Sequence, residues 1–370
     1  MERPLDQVLS DFDDSLPLAE AHTIPASWYT DPRVAELERQ TVFGGTWQPV
    51  GRVDQVAEAG QYLTADVAGE PIVVARGQDG ALRAFFNVCR HHAAAVMTEP
   101  CGRAERLRCP YHGWTYGLDG RLASTPQFEG VRAFDRAENG LVPIDVAVFE
   151  NFVFVHTGPD PMPIERHLGA LVDHLRPLGL GKLTFVERRE WTIACNWKVF
   201  VDNYLDGGYH IPYLHKGLNS ILRFKDYTIE NFERFCLQSS PIDPEGGEAM
   251  TAAVRKGQAL YYWLYPNFML NWYEGYLDTN LVLPLGPDRM KVVFDFYFED
   301  ASPEASERNR RSMDVSERIQ DEDHAICESV QRGLRSRAYA RGRLSVRHEA
   351  GENLFHKLLA GDLRRARAAR

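Results

Sequence analysis

Residues 89–116 read CRHHAAAVMTEPCGRAERLRCPYHGWTY, and this stretch decides the fold. Cys89-Arg90-His91 forms one arm, and Cys109-Pro110-Tyr111-His112 follows after 17 residues as a second. Outward from the arms the chain runs in short apolar segments. PIVVAR at 71–76 and LRAFFNV at 82–88 flank Gln78-Asp79-Gly80, and Asp119-Gly120 follows WTYGL. Asp-Gly pairs tolerate the positive φ of tight turns, so these runs predict antiparallel hairpins. From Trp47 to about Val155 the pattern reads as a small antiparallel β domain carrying its two Cys/His arms on loops at hairpin ends.

Two thiolates and two imidazoles are the donor set of a Rieske-type [2Fe–2S] cluster, with two Cys on one iron and two His on the other. Exchanging anionic thiolate for imidazole raises the reduction potential. Structural zinc is the nearest alternative, but its arms usually separate ligands by two to four residues, and Cys-x-His is tighter. Loop residues without metal form a third reading, which leaves two matched arms unexplained. His92 is an alternative to its neighbour His91. Cys101 has no His at matching spacing and is expected to be a small buried hydrophobe.

A second constellation lies in NWKVFVDNYLDGGYHIPYLH at 196–215. Pro212 separates His210 from His215 and is expected to break the helix between them. The two imidazoles can converge on one metal, with Asp206 and Asn203 presented on the preceding turn, although satisfied core histidines are common. Ser302-Pro303 opens a long charged helix that Gly333 is expected to end. Along it Val315, Ile319, Ile326 and Val330 recur with helical spacing and define one apolar stripe. Asp323 falls on that stripe, Glu322 is borderline, Asp321 is solvated and Glu328 points away. A carboxylate on a buried face is costly unless it is paired or ligates a metal. His210, His215 and Asp323 would form the 2-His-1-carboxylate face of non-haem Fe(II), which leaves positions open for O₂. A salt bridge at a helix contact is the alternative for Asp323, and a helix cap the alternative for Asn203.

The whole chain has 370 residues, 44% hydrophobic and 25% charged, which fits two globular domains and excludes disorder as the main state. Lys and Arg total 42 against 52 Asp and Glu, a formal charge of −10 that disfavours nucleic-acid binding. No run approaches the roughly 18 apolar residues of a membrane span, and the opening MERPLDQVLSDFDDSLP is acidic where a signal would be basic. A soluble, cytoplasmic protein with unpaired cysteines is expected. Asp31-Pro32 predicts a helix to about Phe43. Aromatic strands are expected near 260–273, and another strand at 291–298. Tyr261, Tyr262, Trp263, Tyr265, Phe268, Trp272 and Tyr273 read either as a cage for a cation or as β-formers filling two half-buried strands. The terminal GDLRRARAAR reads as a frayed, solvated tail. No nicotinamide or flavin fingerprint is visible, so electrons must arrive from a separate NAD(P)H-dependent reductase or ferredoxin.

Together the two constellations resemble the catalytic α subunit of Rieske non-haem iron oxygenases. Ala26-Ser-Trp-Tyr-Thr-Asp-Pro32, Thr46-Trp-Gln-Pro-Val-Gly51, Cys109-Pro-Tyr-His-Gly-Trp-Thr-Tyr116 and Tyr265-Pro-Asn267 are similar to family segments. Asp202-Asn-Tyr-Leu-Asp-Gly-Gly-Tyr-His-Ile-Pro-Tyr-Leu-His215 and Cys327-Glu-Ser-Val-Gln-Arg-Gly333 most resemble choline monooxygenases and related enzymes acting on quaternary amines. The resemblance implies an α+β architecture: a Rieske domain at 45–157, and a catalytic domain, from 1–44 and 158–370, with a curved antiparallel sheet and helices. It implies that Cys89, His91, Cys109 and His112 hold the cluster, that His210, His215 and Asp323 hold Fe(II), and that Asp206 links the two centres. Many members place that acid three residues before the first iron histidine, where Gly207 stands here. The resemblance also implies a homotrimer and the monooxygenation of a small amine or quaternary ammonium compound. N-oxygenation of a heterocyclic amine or hydroxylation of an arene is the alternative chemistry, and a non-catalytic Rieske electron carrier the alternative of another class.

Overall fold

The computed structural model describes residues 3–219, 222–242 and 257–368. Two compact units are present: Phe43–His167, and the residues before and after that segment.

The inserted unit is all antiparallel. Its larger sheet runs in the order β1 (Gln48–Arg52), β10 (Phe152–His156), β9 (Pro143–Phe149), β4 (Leu82–Phe86), β3 (Glu70–Arg76), β2 (Gln61–Val67) and β5 (Cys101–Arg103). β6 (Leu107–Arg108), β7 (Thr115–Tyr116) and β8 (Leu122–Ser124) form a second small sheet. Ala68 and Gly69 both take positive φ in the turn joining β2 to β3, as a two-residue hairpin demands. One apolar cluster, including Tyr62, Val73, Phe85, Leu107, Trp114 and Tyr116, also buries Cys89 and Cys109. Cys101, by contrast, is exposed on the edge strand β5, because a strand with one neighbour and no covering layer cannot bury its side chains.

The second unit is built on a curled antiparallel sheet in the order β11 (Thr184–Ile193), β17 (Arg289–Phe298), β16 (Tyr276–Gly286), β15 (Phe268–Tyr273), β14 (Gln258–Leu264), β13 (Phe235–Pro241) and β12 (Thr228–Asn231). β11 alternates between exposed and half-buried positions, whereas β17 is buried at nearly every position from Val292 onward. The helix Trp197–Leu205 packs on β16 and β17, and the long helix Ser306–Leu334 packs on it in turn. A buried ion pair fixes the first of these helices: Lys198 Nζ lies 2.6 Å from Glu38 Oε1, and Trp197 Nε1 donates to Glu38 Oε2 at 2.8 Å. Glu38 ends the helix Pro32–Glu38, which continues as a π turn to Phe43.

Three expectations need correction. The long helix passes through Gly333 to Leu334, and Arg335 caps it in the right-handed conformation. Its buried face is Asn309, Ser312, Met313, Val315, Gln320, Cys327, Gln331 and Leu334, while Ile326 and Val330 are 39% and 44% exposed. The terminal segment is no frayed tail: the helix Ala350–Ala368 buries Phe355, Leu359, Ala360 and Leu363, and residues 369–370 lie outside the described part. Tyr265 donates to Asp362 at 2.7 Å, and Arg364 pairs with Asp14 at 2.6 Å. No described helix is long and apolar enough to cross a membrane.

Candidate metal centres

The two Cys/His arms fold alike. In each, the cysteine N–H donates to the carbonyl of a residue beyond the loop, Cys89 to Ala94 at 2.8 Å and Cys109 to Trp114 at 2.9 Å. The returning bonds run from Ala93 to Cys89 at 2.9 Å and from Gly113 to Cys109 at 3.1 Å. Ala93 and Gly113 close the loops with φ of 60° and 73°. His91 stacks on Trp114 with ring centroids 4.7 Å apart, and His112 lies 4.7 Å from His91. His92 is solvent-exposed.

Two observations test whether this pocket fits a thiolate- and imidazole-bound iron cluster. The Nδ1 atom of His91 is buried without a hydrogen-bond partner, a costly state for a ring nitrogen unless a metal takes the lone pair. Burial pushes the Cys109 thiol pKa up, while backbone N–H groups of Tyr111 and His112 directed at its sulfur oppose that shift and suit an anionic ligand. Tyr116 adds a hydroxyl 3.3 Å from Cys89 Sγ and accepts the Arg90 N–H at 3.0 Å. The donor set fits.

The second centre grows from the helix Trp197–Leu205, whose N-cap Asn196 accepts the Lys198 N–H at 3.1 Å. The helix stops at Asp206 because Gly207 and Gly208 both turn left-handed, at φ of 66° and 68°. A Cβ on Gly207 would sit 2.1 Å from the His348 carbonyl, so only glycine fits. This double turn brings the N–H groups of Tyr209 and His210 onto the Asp206 carboxylate at 3.2 and 3.1 Å, and Asp206 Oδ2 to 2.6 Å from His210 Nδ1. The turn thereby absorbs the spacing of four between acid and histidine. Pro212 does not break a helix between the histidines. It sits in the first turn of the short helix Ile211–Leu214, which His210 and His215 flank at either end.

From the long helix comes Asp323. Its Oδ1 is 3.1 Å from His215 Nε2 and 3.9 Å from His210 Nε2, and one potential ligand atom from each of the three residues lies within 4.8 Å of the others. Asn203 is not a cap; it donates to Asp323 Oδ1 at 2.8 Å. Burial disfavours the His215 imidazolium, but the carboxylates of Asp323 and Glu322 together outweigh it and raise its pKa. Carboxylates behind both Nδ1 atoms leave the Nε2 atoms facing Asp323, a donor geometry that suits a divalent iron. Glu322, borderline by sequence, therefore stands behind His215, with Oε2 2.6 Å from Nδ1.

A cavity of about 110 Å³ opens beside this triad. Of the aromatic run singled out by sequence, only Tyr261 and Tyr273 line it; Trp263, Tyr265 and Phe268 are buried elsewhere in the unit. Tyr204, Tyr227, Phe200 and Phe294 add further rings to the lining, and Asp278, Asn280 and Asn271 supply polar groups. Sequence reading missed these residues because they come from separate elements. Only Asp278 and Asn280 carried a signal, as polar residues alternating on one face of β16.

Residues 180–363 match the family model of the ring hydroxylating alpha subunit (catalytic domain), and residues 46–135 match that of the Rieske [2Fe–2S] domain. The chain is 40% identical to choline monooxygenase of Arabidopsis thaliana, covering 97% of this chain and 87% of that protein. It is 33% identical to the carnitine monooxygenase oxygenase subunit of Escherichia coli K12, covering 92% and 94%. Among solved structures it is similar to a quaternary ammonium Rieske monooxygenase described in connection with carnitine oxidation and inter-subunit electron transfer, with a TM-score of 0.85 at 27% identity over 98% of this chain and 99% of that one.

Proposed function

The chain belongs to the ring-hydroxylating α-subunit family that carries a Rieske [2Fe–2S] domain, and on that premise we propose that it monooxygenates a small quaternary ammonium compound, choline-like in size. The observation that carries this reading is the convergence of His210, His215 and Asp323 beside a cavity walled by tyrosine rings. Two relatives named for trimethylammonium substrates support the same class.

In this reading Cys89, His91, Cys109 and His112 hold the cluster, and His210, His215 and Asp323 hold Fe(II). When bound, the cluster stores single electrons and the Fe(II) binds and activates O₂. The overall balance is one substrate C–H, O₂, two electrons and two protons giving C–OH and water, the electrons coming from a separate reductase. The protein's part is positional. Asp206 and Glu322 fix the two imidazoles through Nδ1, Asn203 orients Asp323, and the tyrosines hold the substrate against the open side. We assign the chain to a trimer in which one protomer's cluster serves the next protomer's iron, a reading supported by the inter-subunit transfer named for the solved relative, with Asp206 on the receiving side.

A pure electron carrier would have no use for the triad. Iron analysis separates the two, with about three irons per chain for the oxygenase against about two for the carrier. The decisive assay supplies the reconstituted protein with a ferredoxin-type reductase, NADH and O₂, and offers choline, an arene and a heterocyclic tertiary amine in parallel. Oxygenated choline with matched O₂ uptake is expected. Product from the arene or heterocycle alone would overturn the substrate class.

A further inference from the structure

One buried acid in the cavity is not needed to hold or orient a metal. Asp278, on β16, is 2% exposed and lines the cavity together with the triad. Its Oδ1 accepts hydrogen bonds from Asn271 at 2.7 Å and Asn280 at 3.1 Å. Its Oδ2 accepts from Tyr276 at 2.8 Å and Ser316 at 3.3 Å. Four donors on two oxygens are the environment of an ionised carboxylate, since a protonated one would have to donate. Yet among the described residues no Lys or Arg lines this cavity, and Asp278 forms no ion pair with a basic side chain. Burial pushes its pKa up, and the four hydrogen-bond donors, which favour the ionised form, pull against that shift.

The rings beside it suit such a partner. Tyr261 and Tyr273 stand nearly perpendicular, at 85° with centroids 6.0 Å apart, and their hydroxyls are tied to each other at 3.2 Å. Tyr204 and Tyr227 line the same cavity, and burial raises the pKa of all four phenols, so the rings stay neutral and keep the quadrupole that attracts a cation. A quaternary ammonium has no N–H to donate and needs no free lone pair; it is recognised by ring faces and by field. Asp278, its oxygens already engaged, supplies field.

Building on the quaternary ammonium reading above, we infer that Asp278 makes the cavity select substrates of net positive charge, so that a trimethylammonium alcohol is taken in preference to a trimethylammonium carboxylate. The same field that attracts the cationic head repels a carboxylate tail, and no described Lys or Arg of the lining offsets that repulsion.

The test uses the iron- and cluster-loaded protein and three ligands of similar size: choline, its neutral carbon isostere 3,3-dimethylbutan-1-ol, and trimethylglycine. Wild-type protein should bind choline at least about tenfold tighter than either of the others. In Asp278→Asn the choline affinity should fall about tenfold or more while the isostere's stays within about twofold, because only the charged ligand senses the lost carboxylate. An unchanged choline-to-isostere ratio in the variant would overturn the inference. So would trimethylglycine binding to wild-type protein as tightly as choline, a measurement that needs no variant to fold. If both trimethylammonium compounds are oxygenated equally, the charge selection fails while the function stands. If neither is oxygenated, the function reading fails with it.

Discussion

His215 is held between two consecutive acids: Glu322 Oε2 lies 2.6 Å from its Nδ1, and Asp323 Oδ1 lies 3.1 Å from its Nε2. Neighbouring residues on a helix point about 100° apart, so one can stand behind the imidazole while the other faces the candidate iron position. His210 has the same arrangement, with Asp206 at 2.6 Å from Nδ1. Each histidine thus has its ring oriented by a carboxylate at Nδ1, on the side away from Asp323.

Glu322→Ala should weaken Fe(II) binding by about 10- to 100-fold, the usual cost of losing a ligand's hydrogen-bond partner. Asp323→Ala should abolish it, with the cluster spectrum intact in both. Titrating Fe(II) into metal-free protein measures the two affinities. Complete loss in Glu322→Ala with binding retained in Asp323→Ala would make Glu322 the ligand instead.

Asp206 does two things at once, holding His210 Nδ1 and accepting the N–H groups of Tyr209 and His210. Asp206→Asn keeps an acceptor for the turn but removes the charge behind the imidazole. The variant should retain its irons and lose about 1 kcal/mol of stability or less. Reoxidation of the pre-reduced cluster should lag behind wild type with substrate and O₂ saturating. Unaltered reoxidation in single-turnover experiments would leave Asp206 as a turn residue alone.

The helix that bears Asn203 and Asp206 is anchored by Lys198 and Glu38, both buried, with the ammonium also 5.5 and 5.4 Å from the rings of Tyr29 and Trp197. Lys198→Ala leaves a buried carboxylate without its partner and should cost about 3–5 kcal/mol. Lys198→Met with Glu38→Gln removes both charges and should recover most of that loss. Denaturant midpoints of the two proteins give the comparison, and equal destabilisation would mean that the charges are not coupled.

The Cys/His arms were legible because each is a short loop whose ligands are neighbours in sequence. Asp323 was legible from the helix's angular arithmetic, although that arithmetic misjudged the second half of the stripe. Past Asp323 the helix buries Cys327, Gln331 and Leu334 rather than Ile326 and Val330, with Gln331 accepting the Asn196 N–H at 2.8 Å and the half-buried Glu328 accepting that of Ala194 at 3.2 Å. A buried glutamine there takes a place where periodicity looks for an apolar residue. The cavity was not legible, since Tyr204, Tyr227 and Tyr261 come from three elements that only the sheet's curl brings together. The helix Ala350–Ala368 was hidden by its arginines, though Phe355, Leu359 and Leu363 keep a spacing of four.

That helix also carries a carboxylate with a definite pH signature. Glu352 is buried beside Asp202 and His356, with its Oε1 3.7 Å from His356 Nε2. Asp202 takes the nearer position on that nitrogen, at 3.0 Å, and accepts from Tyr29 at 2.5 Å. Burial first, then the charges of Asp202, Glu349 and Asp206, raise the Glu352 pKa well above its ordinary value. The sign follows from linkage. Between the unfolded and the folded pKa the folded state holds the proton and the unfolded state has released it, so this group lowers stability as pH rises through that window. Below the unfolded pKa it has no effect. Glu352→Gln removes the titration, and its advantage over wild type should therefore grow from near zero at about pH 4.5 by up to about 1.4 kcal/mol per pH unit. Melting both proteins in matched buffers between about pH 5 and 8 cancels the contributions of carboxylates common to the two. A difference that stays flat across the range would mean that the fold does not raise the Glu352 pKa.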